Sequence, residues 1–152
     1  MESTQGDAIA RPAGISHVRL TVTDIAQSKT FYQRALGKAP AQDYSDQIDD
    51  AGVRDDPGRL FGGCAFALGD QVLGLRPAAS AGDSFRSTRV GLDHISLQLA
   101  SVAELRAAER RLADAGIEHG TVTELTDFGM AILSFQDPDD INLELAAPIE
   151  PE

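Results

Sequence analysis

The chain repeats itself, and that repeat limits its folds more than any other feature. The run His17-Val18-Arg19-Leu20-Thr21-Val22 returns as His94-Ile95-Ser96-Leu97-Gln98-Leu99, and Leu73-Gly74-Leu75 returns as Leu143-Glu144-Leu145. Both histidine runs alternate apolar with polar residues, the signature of half-buried strands, and each histidine opens its strand. Each strand leads into a helix start: Asp24 with Gln27 three residues on, and Ser101 with Glu104 three residues on, both capping boxes. Gly37 and Gly116 end the two helices. In the first copy Ile25, Phe31, Tyr32, Ala35 and Leu36 give the helix its apolar face; in the second Leu105, Ala108, Leu112 and Ala115 do so.

Three further strands complete each copy. In the first they are a short one near 42–47, then 64–68 and 71–76 around the Gly69-Asp70 turn. In the second they are 121–125, 130–135 and 141–145, the last two separated by the turn Asp137-Pro138-Asp139-Asp140. Each copy reads β-α-β-β-β, a duplication rather than a solenoid. The boundaries follow: a flexible lead-in over 1–13, a first module over 14–77, a linker over 78–90, a second module over 91–147 and a tail over 148–152, all in one domain. A chain of 152 residues is long enough for one proper core.

Strand parity places the chemistry. Residues two apart on a strand share a face, so His17 goes with Arg19 and Thr21, His94 with Ser96 and Gln98, and Glu144 with Asn142. The same face of the first module carries Val72, Gly74 and Arg76. It is polar where the opposite face is apolar, as expected of a sheet curled around a liganded cavity. Two imidazoles and a carboxylate there suit one divalent transition metal: Fe(II) above all, as a 2-His-1-carboxylate set, with Mn(II), Zn(II), Ni(II) or Co(II) as alternatives. Three protein ligands leave positions open, which marks a catalytic rather than a structural site. Arg19 is a candidate for orienting the substrate. Thr21, Arg76, Ser96, Gln98, Asn142, Tyr44 and Phe128 are candidates for binding it. His119, just past a helix end, reads as an exposed residue without a role.

Net charge of −11 argues against a nucleic-acid partner, since a phosphate-binding face needs clustered Lys and Arg. No apolar run approaches membrane-spanning length, and the N-terminus lacks a signal-peptide pattern. Cys64 stands alone in an apolar strand and reads as a buried structural thiol, so a reducing compartment, the cytoplasm, is expected.

These motifs resemble the vicinal oxygen chelate superfamily of glyoxalases, extradiol dioxygenases, fosfomycin-inactivating enzymes and bleomycin-binding resistance proteins. The resemblance rests on 16–24, on Phe31-Tyr32 followed by Leu36-Gly37, on Asp93-His94-Ile95-Ser96-Leu97, and on 135–144. It implies an α+β fold in which two βαβββ modules form an open, curled, mixed β-barrel, with His17, His94 and Glu144 as metal ligands. Glyoxalases typically carry a fourth ligand where this chain has Gly74, and Asp140 stands where relatives often have Gly. The resemblance implies a metal-dependent enzyme acting on a small substrate chelated through vicinal oxygens, dioxygenase-like or lyase/isomerase-like. The alternative is a metal-free protein that sequesters a small molecule, an antibiotic of cationic charge being the best match to −11. A homodimer is expected, because relatives cover the sheet edges that a lone chain exposes.

Overall fold

The structure, a computed structural model, describes residues 4–150; the ends of the expected lead-in (1–3) and tail (151–152) lie outside the described residues. The chain divides into two compact units, 1–79 and 80–152, each with one α-helix and one four-stranded sheet among the described residues. The first unit runs β1 (His17–Thr21), α1 (Ile25–Leu36), β2 (Gln42–Asp43), β3 (Cys64–Leu68) and β4 (Gln71–Arg76). The second runs β5 (Ile95–Gln98), α2 (Val102–Asp114), β6 (Thr123–Leu125), β7 (Met130–Gln136) and β8 (Asn142–Pro148). The strand orders are β1-β4-β3-β2 and β5-β8-β7-β6, so the two sheets share one topology and both are open. In each, the first strand is parallel to the last and the others are antiparallel.

The repeat extends to single hydrogen bonds. Arg19 pairs with Gly74 across β1 and β4 as Ser96 pairs with Glu144 across β5 and β8. One step past the strand ends, Val22 N–H donates to the Arg76 carbonyl and Leu99 N–H to that of Ala146, both at 2.8 Å.

Local sequence explains the helices. The Asp24 carboxylate accepts from Gln27 N–H and the Ser101 hydroxyl from Glu104 N–H, while the Glu104 carboxylate accepts in return from Ala100 N–H. Gly37 closes α1 in the left-handed region at φ 67°, where a side chain would strain the chain. Apolar faces then meet: Leu20, Val22, Ile25, Tyr32, Cys64 and Phe66 are buried in the first unit, and Leu105, Leu133, Phe135, Leu143 and Leu145 in the second. Phe31 stands edge-on to Tyr32, ring centroids 5.2 Å apart.

Some expectations shift. β5 begins at Ile95, so His94 stands one residue ahead of its strand, and β6 begins at Thr123 rather than Thr121. β8 runs to Pro148, into the expected tail, and a 3₁₀ turn occupies Thr4–Asp7 of the lead-in. β2 covers only Gln42–Asp43 of the strand expected near 42–47, and the run from there to β3 holds three 3₁₀ turns: Ser45–Gln47, Val53–Asp55 and Pro57–Gly62. Short side chains nucleate two of them, as the Asp43 carboxylate accepts from Ser45 N–H and that of Asp56 from Gly58 N–H, both at 2.9 Å. No helix is long and apolar enough to cross a membrane among the described residues.

Candidate functional site

Register builds the site in the second unit. Ser96 on β5, Glu144 on β8 and Ser134 on β7 stand side by side on one face, with Asn142 and Gln136 paired in the next row. That row extends towards His94, just ahead of β5. Leu143, Leu145 and Phe135 take the opposite parity and are buried beneath α2. The polar face lines a cavity of about 420 Å³ whose walls include Asp93, His94, His119, Ser134, Asn142 and Glu144.

Its centre is an imidazole facing a carboxylate. His94 Nε2 lies 3.7 Å from Glu144 Oε2. The far atom of each side chain is held: His94 Nδ1 stands 2.7 Å from Asp93 Oδ1, and the Ser96 hydroxyl donates to Glu144 Oε1 at 2.9 Å. A carboxylate only accepts, so Nδ1 carries a proton, and in the neutral tautomer the Nε2 lone pair faces Glu144. Two acceptors facing one another without a proton between them repel; a cation between them removes the repulsion. With ligand bonds of roughly 2.0–2.2 Å, two donors on one ion stand about 3–4 Å apart, and the observed separation fits. Donor types and held far atoms both suit a divalent transition metal.

The other expected residues are distributed as follows. His17 opens β1 in the first unit, exposed, its Nδ1 3.1 Å from the Ser16 hydroxyl. Among the described residues no group of three or more His, Cys, Asp or Glu side chains could hold an ion. Asn142 lies on the cavity wall, accepting from Gln136 at 2.9 Å. The Gln98 amide is spent on the Leu99 carbonyl. Thr21 is exposed on β1, paired with Arg76, and Tyr44 is half-buried ahead of a 3₁₀ turn. Phe128 is 76% exposed in the turn before β7. Arg19 and Arg76 both approach the Phe61 ring in the first unit. Cys64 is buried; burial first, then the negative charge of Asp43, push its thiol up to about 12, so it is no nucleophile. Asp43 itself resists burial because hydrogen bonds from Ser45 and the Lys29 ammonium hold its carboxyl below the usual range.

One residue with no role expected from sequence enters the site. His119 is half-buried on the cavity wall, where its backbone bridges to Phe135 and the next residue, Gly120, donates to the Ser134 carbonyl. Its Nδ1 lies 2.6 Å from the Gly120 carbonyl, so Nδ1 donates, and in the neutral tautomer Nε2 is left as the acceptor. Its spacing after Gly116 carried no signal, because a single isolated bridge holds it rather than a strand of its own.

Comparison with known proteins matches this architecture. The family model described as "Glyoxalase/Bleomycin resistance protein/Dioxygenase superfamily" matches residues 14–145. No curated protein matches. Among solved structures, the chain is similar to a glyoxylase/bleomycin resistance protein/dioxygenase domain from Frankia sp. EAN1pec, at 28% identity and TM-score 0.66, covering 93% of this chain and 96% of that one. Two others share the fold at lower identity. The fosfomycin resistance protein FosX of Listeria monocytogenes is 18% identical with TM-score 0.63, covering 90% of this chain and 94% of that one. Lactoylglutathione lyase of Agrobacterium tumefaciens is 20% identical with TM-score 0.59, covering 90% and 95%. With a duplicated βαβββ unit and a family match over most of its length, the chain belongs to the glyoxalase/bleomycin resistance protein/dioxygenase superfamily.

Proposed function

We propose that the protein is a metal-dependent enzyme acting on a small substrate that chelates the metal through two neighbouring oxygens, dioxygenase-like or lyase/isomerase-like, with His94, Glu144 and His17 as ligands. The approach of His94 Nε2 to Glu144 Oε2 at 3.7 Å, with both far atoms held, carries this reading. When bound, a divalent ion, Fe(II) for this donor set, supplies a Lewis acid with open positions.

The chain's own groups do the rest. Asp93 fixes the tautomer of His94, and Ser96 leaves only Oε2 of Glu144 to face the ion. His119 Nε2 is the acceptor on the same wall that can take a proton from a bound substrate. The cavity, about 420 Å³, suits a small metabolite and falls in the ordinary range for such pockets.

The test is metal content and metal-linked stability. Protein purified without added metal is expected to carry about one divalent ion per site, and the chelated form is expected to gain thermal stability when Fe(II), Mn(II) or Zn(II) is added. His94→Ala abolishes both. Absence of any ion and of any shift in the wild type overturns the reading. The second reading, sequestration of a cationic drug, draws on the net charge of −11. Tight binding of a cationic antibiotic by chelated protein, undiminished in His94→Ala, would favour it.

A further inference from the structure

The equivalent face of the first sheet has different chemistry. Where the second unit sets Ser96 beside Glu144, the first sets Arg19 beside Gly74. The Arg19 side chain lies across that glycine: a Cβ built on Gly74 would stand 3.5 Å from Arg19 Cγ and Nε. Arg76 follows two residues later on the same face of β4. Both guanidinium groups approach one ring, Arg76 Cζ 3.7 Å and Arg19 Cζ 5.3 Å from the centroid of Phe61. The backbone presents that ring in an uncommon way, because Leu60 and Phe61 are consecutive non-glycine residues in the left-handed region, at φ 50° and 58°.

Neither arginine has a carboxylate. The sequence holds 24 Asp and Glu against 13 Lys and Arg, yet among the described residues neither Arg19 nor Arg76 makes an ion pair. Arg76 Nε is buried with no hydrogen-bond partner. A buried donor on a cation is costly to leave unsatisfied. Two cations that share one ring, with donors unspent, await an anion, and the planar guanidinium fork matches the paired oxygens of a carboxylate or phosphate.

We propose that Arg19 and Arg76, braced by Phe61, form a binding site for a small oxyanion, the carboxylate or the phosphate or phosphonate group of a ligand. The pair lies within the first unit, on the strand face that carries His17, and anion binding by it needs no metal, so it is measured on metal-free protein separately from the metal-dependent activity.

Chelated wild-type protein is titrated with inorganic phosphate and, separately, with acetate, with chloride matching ionic strength, while NMR follows the arginine Nε–H signals and backbone amides. Saturable shifts centred on Arg76 Nε–H and the Phe61 amide are expected, and the anion that saturates first identifies the oxyanion class. Arg76→Gln is expected to weaken binding about tenfold or more. Gly74→Glu, whose Cβ meets only ordinary contact, brings a carboxylate to Arg19 and is expected to weaken binding while unfolding stays cooperative. It also keeps the test valid if Arg76→Gln fails to fold. Shifts that fail to saturate with both anions, or that persist unchanged in the folded variants, overturn the proposal.

Discussion

Asp140 shows how a single residue carries the cost of a turn. The Asp137 carboxylate is buried and accepts from the N–H groups of Asp139 and Ile141, both at 2.8 Å, folding 137–141 into a tight reversal before β8. To complete it Asp140 adopts φ 65°, where a Cβ crowds the following carbonyl. Aspartate tolerates this conformation better than most residues but still costs about 1 kcal/mol against glycine. Asp140→Gly is therefore expected to stabilise the protein by up to about 1 kcal/mol, a rise in Tm of roughly 2–4 °C for a chain of this size. Thermal unfolding checks it, and an unchanged or lower Tm means that the left-handed residue is not strained. The left-handed backbone is the physical reason why glycine would suit this position.

Elements were legible in this sequence where local chemistry alone fixes them. Both N-caps form, a glycine follows each helix within two residues, and β3 and β4 occupy the expected residues, because caps, periodicity and turns act over only a few positions. The face shared by Ser96, Glu144 and Asn142 was legible for the same reason, since parity on a strand is strict. The run between β2 and β3 was not, because two of its turns depend on carboxylates accepting from the backbone, the third on left-handed Gly52, and the last also on left-handed Leu60 and Phe61, which no periodicity announces. His119 escaped because its position comes from a bridge to Phe135, distant in sequence. The caps themselves can be tested. Ser101→Ala removes the oxygen that holds Glu104 N–H at 3.2 Å and is expected to destabilise the protein by about 1 kcal/mol, with Ser101→Asp restoring most of it. Chemical denaturation of the three proteins reads this directly; equal midpoints would mean that packing alone fixes the start of α2.

At the scale of the whole molecule the question is how His17 reaches the ion proposed for His94 and Glu144. Among the described residues, β1 and β5 are outer strands of their sheets, each with one side unpaired. His17 opens the first, and His94 stands one residue ahead of the second. Exposed edges invite pairing, and a second copy that covers them would make the protein a homodimer and could bring its His17 to the His94–Glu144 pair. Mixing decides between shared and single-chain sites. His17→Ala and His94→Ala are each expected to bind no metal. If ligands are exchanged, unfolding and refolding an equal mixture makes half of the dimers mixed, each with one intact site of two, so about a quarter of the wild-type metal returns. We expect that recovery, because the same two-fold contact that buries the edges would also complete the ligand set. A mixture that stays empty while refolding as dimers would assign all three ligands to one chain; dimers that never form would leave the edges to be protected by other means.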